Sequence, residues 1–274
     1  MRTLNCKGTL IDLSYPKVMG IINVTPDSFY DGGKTTASRE IVAQAKTMLD
    51  EGATFLDIGG YSSRPNAEEV SEAEELQRVL PAIEAILNEF PEALISIDTF
   101  RSEVAKQAVE AGAALVNDIS AGTIDPTMIS EVAKLNVPYC MMHMRGTPQT
   151  MAALTDYETI TKEVIFFFSE KIAEARAAGI NDILIDPGFG FAKTKDQNFE
   201  LLKHLDLFKQ LEVPCLVGVS RKSMIYKTLE TTPDNALNGS TVLHTIAVSK
   251  GANILRVHDV SEAVECIKLT QNLK

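Results

Sequence analysis

Short apolar runs recur along the chain, separated by longer stretches whose apolar residues fall at three and four spacing. The runs are VMGIIN at 18–23, FLDIG at 55–59, LISID at 94–98, LVNDI at 115–119, PYCMMH at 138–143, ILIDPG at 183–188, PCLVGV at 214–219 and ILRVHD at 254–259. The first seven are too apolar to alternate between a buried and a wet face, as expected for parallel strands covered on both sides. Between them, SREIVAQAKTMLDEG, SEAEELQRVLPAIEAILNEF and YETITKEVIFFFSEKIAEARAAG carry helical periodicity, with Gly52 and Gly179 placed as C-caps. Ser38, just before Glu40, and Ser102, just after the third strand, are expected to start helices. Eight successive β-then-α units predict closure into a barrel rather than an open doubly wound sheet. The absence of G-x-G-x-x-G and of G-x-x-x-x-G-K-[ST] agrees. The expected fold class is therefore α/β, a single-domain (β/α)8 TIM barrel over residues 17–274. A short N-terminal β-hairpin within residues 1–16, turning at Lys7-Gly8, would plug its lower end.

Composition narrows the function classes. The chain has 274 residues, 45% hydrophobic and 23% charged, so it can bury a large core. Its net charge of −11, with no long basic run, argues against nucleic acid as a partner. Cys6, Cys140, Cys215 and Cys266 lie far apart without a C-x-x-C pair, which predicts reduced thiols and neither a zinc site nor a disulfide framework. The N-terminal residues lack the apolar core of a signal peptide, and no 18-residue apolar stretch occurs, so a soluble cytoplasmic protein with no membrane partner is expected.

In such barrels chemistry sits at the C-terminal ends of the strands. The polar residues there are Asn23, Asp57, Asp98, Asn117 with Asp118, His143, Asp186, the Ser220-Arg221-Lys222 run, and Arg256 with His258. Any one of them could cap the next helix. Capping, however, calls for nothing larger than Ser or Asp and does not require Lys222, Arg256 and His258 to meet. The ring as a whole predicts a polar, partly anionic small molecule, with phosphate or diphosphate at the cations. Asp98, Asn117 and Asp186 suit the hydrogen-bonding edge of a flat heterocycle. Lys222 stands where a nucleophile elbow needs Gly, which argues against a serine hydrolase, and the four histidines have no zinc-protease spacing. DPGFGF at 186–191 lacks the Lys-Ser ending of a phosphate loop and reads as a tight turn that lets a ligand approach the backbone.

NVTPDSFYDGG, from Asn23 to Gly33, closely resembles the first signature of the dihydropteroate synthases. GGYSSRP from Gly59 to Pro65 is similar to their second, and SIDT, NDISAG, HMRGTPQTM, DPGFGF, GVSRKS and RVHD follow in the family's order and spacing. The resemblance spans essentially the whole chain. It implies a usually dimeric barrel, a transferase of the aryl- or alkyl-group class. Such an enzyme condenses 6-hydroxymethyl-7,8-dihydropterin diphosphate with p-aminobenzoate to 7,8-dihydropteroate and pyrophosphate, a sulfonamide-blocked step of folate biosynthesis. The second signature more often reads GGESTRPG; here Tyr61 replaces Glu, Ser63 replaces Thr and Asn66 replaces Gly.

Carried over by position, the resemblance assigns the pterin to Asp98, Asn117, Asp186 and Lys222, with Arg256 stacked on the ring and Met141 beneath it. The diphosphate falls to Asn23, Ser63, Arg256 and His258, with Mg2+ as cofactor and Asn23 beside the metal. Thr25, Pro26, Asp27, Phe29, Arg64 and Pro65 would close over p-aminobenzoate, and Ser223 would receive its carboxylate. The chemistry expected is a dissociative displacement at the pterin methylene, which needs no protein nucleophile. Lys222, Asp98, Asp186, Arg256 and His258 would be its catalytic groups. Two rivals share the pocket: a corrinoid-linked methyltransferase binding methyltetrahydrofolate, and a pterin binder without turnover. The NVTPDSF and SSRP segments argue against the first, and the retained Asn23, Arg256 and His258 against the second.

Overall fold

The computed structural model describes residues 3–24, 34–61 and 70–273. The chain opens with an antiparallel hairpin, β1 (Thr3–Cys6) and β2 (Thr9–Asp12), turned by Lys7 and Gly8. Both turn residues lie at positive φ, the geometry that two-residue hairpin loops favour. Eight strands follow: β3 (Lys17–Asn23), β4 (Phe55–Gly59), β5 (Leu94–Asp98), β6 (Leu115–Asp118), β7 (Tyr139–Met142), β8 (Ile183–Asp186), β9 (Leu216–Val217) and β10 (Ile254–Val257). Each pairs in parallel with its neighbour, and β10 returns to β3. A parallel bridge between Ile185 and Cys215 draws β8 to the entry of β9 and nearly closes the barrel.

The outer layer is α1 (Lys34–Asp50), α2 (Glu72–Glu89), α3 (Ser102–Glu110), α4 (Met128–Leu135), α5 (Ile160–Ala177), α6 (Lys195–Lys203), the short α7 (Ser223–Tyr226), α8 (Leu237–Lys250) and α9 (Val260–Gln271). Local chemistry starts several of them. Ser71 and Glu74 form a capping box on α2, as Thr194 and Gln197 do on α6. Of the two expected helix starts, α3 does begin at Ser102, and the one at Ser38 is corrected. Ser38 lies inside α1, which begins four residues earlier because no breaker interrupts the stretch from Lys34. Ser102 is the first helical residue of α3 rather than its cap, and the Asp125 carboxylate from a neighbouring loop accepts its N–H at 2.7 Å.

Strand alternation separates two cores. Outward residues such as Leu56, Ile97, Val116 and Leu255 pack under the helices. Inward residues Met19, Phe55, Leu115, Cys140, Leu184, Leu216 and Ile254 close the N-terminal end together with Leu4, Cys6 and Leu13 of the hairpin segment. The hairpin thus plugs that end, and the opposite end is left for polar side chains.

Candidate active site

Two residues beyond the apolar plug, the inward-facing positions become polar: Asp57, Ser96, Asn117, Asp186 and Arg256. The next inward step reaches Asn23, Gly59, Asp98 and His258 at the rim. Arg256 organises this layer. Its Nε donates to Asp57 Oδ2 at 2.5 Å and its Nη2 to Asp98 Oδ2 at 2.7 Å. Asn117 Nδ2 donates to the same Asp57 oxygen at 3.1 Å. Burial opposes the charge on Arg256, but Asp57 and Asp98 outweigh it and hold the guanidinium more firmly protonated than usual. Burial pushes the Asp98 carboxyl up to about 7 against the pull of Arg256, with Asp57 and Glu75 adding repulsion.

Asp186 is fixed from its own loop, its Oδ1 accepting the Gly188 N–H at 2.8 Å. Burial raises its pKa, opposed first by Lys222 and then by that amide. Gly188 is required here: its φ is +72°, and a Cβ would lie 2.0 Å from the His143 carbonyl oxygen. Lys222 donates from Nζ to the Phe189 carbonyl and stands 4.7 Å from the Phe191 ring centre. Burial brings its pKa down to about 8, partly offset by Asp186. Gly59 and Gly218 present no side chain beside Asp98, Asp186 and Arg256. An added Cβ would meet Asp98 atoms at 3.5 Å in one case and Asp186 Oδ2 at 3.8 Å in the other. The floor is therefore open enough for a planar ligand to reach carboxylates, an amide and two cations.

Asn23 ends β3, exposed at the rim beside Gly59. His258 is exposed too, with its Nδ1 3.0 Å from Ser220 Oγ, and Ser223 begins α7 next to Lys222. Thr25, Pro26, Asp27, Phe29, Ser63, Arg64 and Pro65 lie outside the described residues. No cluster of three or more His, Cys, Asp or Glu fit to hold a metal occurs among the described residues. Among the described residues, the Asn23 amide oxygen at the rim is an oxygen donor of the kind Mg2+ takes alongside ligand oxygens and water.

Not every polar strand end reaches the mouth. Asp118 faces outward, accepting from Tyr139 Oη at 2.6 Å and from the Ser120 and Gly122 amides at 2.7 Å. Arg221 turns away to hold Asp259 through two bonds of 2.8 and 2.7 Å. His143 is buried edge-on against Phe167 at 4.9 Å, and burial, reinforced by Lys193, pushes its pKa down to about 2. Met141 is also corrected. It belongs to the outward layer under the helices, whereas Met142 faces inward, in register with Asp186 and packed with Phe100, Ile119 and Met144. Sequence reasoning gave Asp57 no role beyond a strand end, although its two-residue spacing from Phe55 marks it as inward-facing. The Phe189 carbonyl had no signal, because backbone acceptors are invisible in side-chain patterns.

The chain matches known proteins in sequence and fold over nearly its whole length. Residues 19–258 match the model of a family described as pterin binding enzyme. The chain is 45% identical over 270 residues to the dihydropteroate synthase of Escherichia coli K12, covering 98% of this chain and 95% of that one. It superposes on Xanthomonas albilineans dihydropteroate synthase with 4-aminobenzoic acid at a TM-score of 0.91 and 42% identity, covering 99% and 97% of the two chains. The structure of that enzyme in complex with 7,8-dihydropteroate gives 0.88 and 41%, covering 99% and 98%.

Proposed function

The chain belongs to the pterin-binding enzymes, within the dihydropteroate synthase family, and from that membership we propose how its barrel mouth works. It condenses 6-hydroxymethyl-7,8-dihydropterin diphosphate with p-aminobenzoate, giving 7,8-dihydropteroate and pyrophosphate in folate synthesis. The observation that carries this reading is the inward polar layer, in which Arg256 bridges Asp57 and Asp98 while Lys222 stands over Phe191 beside Asp186. Asp98, Asn117 and Asp186 are the groups for the N–H edge of the pterin, and Lys222 donates to the ring. Arg256 is bonded through its edge at Nε and Nη2, which leaves a guanidinium face for stacking.

The reaction breaks the methylene C–O bond and forms a C–N bond to the aromatic amine, whose surplus proton leaves to solvent. The pterin stabilises positive charge at its methylene while Arg256 and His258, with Asn23 and Ser63, receive the departing pyrophosphate. Asn23 is the described residue that would hold a magnesium ion, which when bound would supply Lewis-acid neutralisation of the leaving group. By the resemblance to the family we assign p-aminobenzoate to Thr25, Pro26, Asp27, Phe29, Arg64 and Pro65, and its carboxylate to Ser223. No activated serine or cysteine is needed; the four cysteines are buried.

The proposed assembly is a homodimer. Val242 and Ile246, one turn apart on α8, and Leu269 on the adjoining α9 are exposed apolar side chains, and we assign the self-contact to them. The proposed location is the cytoplasm; no described helix is long and apolar enough to cross a membrane. Formation of dihydropteroate by purified protein, dependent on both substrates, tests the catalytic reading. Absence of product where the Escherichia coli enzyme turns over contradicts it.

A further inference from the structure

Lys193 lies two residues past the glycine turn and has no place in the mechanism above, yet it is 8% exposed. Its Nζ donates to the carbonyls of Gly188 at 2.9 Å, Phe191 at 2.9 Å and His143 at 3.1 Å, and lies 3.0 Å from His143 Nδ1. A buried lysine is costly unless its donors are used, and here three ammonium hydrogens face three carbonyls. The loop is coiled to permit this, with Gly188, Gly190 and Ala192 all at positive φ. Between the two clamped carbonyls of the loop stands Phe189, whose own carbonyl accepts from Lys222. The Phe191 residue is shared as well: its carbonyl binds Lys193 and its ring underlies Lys222. The Gly188 amide, on the same clamped turn, holds Asp186.

We propose that Lys193 is a positioning residue, the buried clamp that shapes the 187–192 loop so that Asp186 and Lys222 meet the pterin. This rests on the pterin-site reading above. Asn198 braces the same loop from α6, its Oδ1 accepting the Gly190 N–H at 2.6 Å, so the loop is held before any ligand arrives. Charge supports the geometry: burial lowers the Lys193 pKa, with Asp186 opposing, and Lys193 in turn helps hold Asp186 ionised alongside Lys222 and Arg256.

The test uses Lys193→Met, which keeps the stem and removes the donors, alone and combined with Lys222→Ala. Calorimetry with the pterin diphosphate should show affinity reduced by about tenfold to a hundredfold in Lys193→Met, with a cooperative unfolding transition retained. In the Lys222→Ala background the further loss should be smaller than in the wild type but not vanish, because the part of the clamp's effect that passes through Lys222 is gone while the part through Asp186 remains. Wild-type affinity in folded Lys193→Met, or an equal penalty in both backgrounds, overturns the proposal. Hydrogen exchange on the unsubstituted, ligand-free protein gives a second arm that no folding defect can obscure. The Gly188, Gly190 and Phe191 amides should be protected; rapid exchange that only ligand suppresses overturns a preformed loop. A wild-type protein that does not bind the pterin diphosphate contradicts the pterin-site reading itself, whereas normal binding with an indifferent Lys193 contradicts only the clamp.

Discussion

Arg256 on β10 reaches past the intervening β3 to the fully buried Asp57 on β4, through an Nε–Oδ2 bond of 2.5 Å. Asp57 also accepts from Asn117, so one carboxylate orients the residue proposed to stack on the pterin and another proposed to bind its edge. Asp57→Ala leaves the partly buried Arg256 guanidinium with Asp98 as its remaining carboxylate and removes the acceptor of Asn117, and should destabilise the fold by about 1–3 kcal/mol. Urea denaturation checks this, and unchanged stability would show that Asp57 does not anchor Arg256.

Lys222→Ala removes the cation over Phe191 and should cost about 2–4 kcal/mol of transition-state stabilisation, with the fold retained. Steady-state kinetics read it as a fall in kcat/KM. A wild-type value excludes Lys222 from polarising the pterin.

Acid–base behaviour follows from burial at the mouth. With the Asp98 carboxyl raised to about 7, acceptance of pterin N–H groups is lost as pH falls below neutrality, well above the ordinary carboxylate range. With Lys222 lowered to about 8, its charge is lost as pH rises beyond that value. The kcat/KM profile for the pterin diphosphate should be a narrow bell, and Asp98→Asn should remove its acid limb. Stability carries the matching signs. Between 3.8 and about 7 the native Asp98 holds a proton that the unfolded chain has lost, so this group's contribution falls as pH rises. Between about 8 and 10.5 the unfolded Lys222 binds the extra proton, so its contribution grows with pH. A flat activity profile from pH 6 to 9 is the contrary result.

Gly188 and Gly179 both adopt positive φ but differ in their surroundings. A Cβ at Gly188 meets the His143 carbonyl at 2.0 Å, whereas one at Gly179 meets nothing within 4 Å. Gly179→Ala should cost only the backbone strain of about 1 kcal/mol. Gly188→Ala should cost more and also weaken pterin binding, because Asp186 hangs on that amide. Thermal unfolding and calorimetry compare them, and equal effects would contradict the loop's role.

Much of this was legible in the chain because strand and helix periods are strong signals. The eight apolar runs become the eight barrel strands, and KG at 7–8 becomes the hairpin turn. What escaped depended on side-chain direction or on partners distant in sequence. Met141 and Met142 are chemically equivalent neighbours in a wholly apolar run, so only the register with Asp186 reveals which one faces inward. His143 ends its strand as the other polar residues do, but Phe167 and Lys193, supplied by α5 and the loop after β8, keep it out of the mouth. Ser102 starts α3 with its N–H held by Asp125, 23 residues later, a partner that no local pattern reveals.

The central claim is tested most directly by following pyrophosphate release and organic product together, with pterin diphosphate, magnesium and purified protein, in the presence and absence of p-aminobenzoate. The account predicts equal amounts of pyrophosphate and 7,8-dihydropteroate when the amine is present. Tight pterin binding without condensation, under conditions where the Escherichia coli enzyme is active, would contradict it.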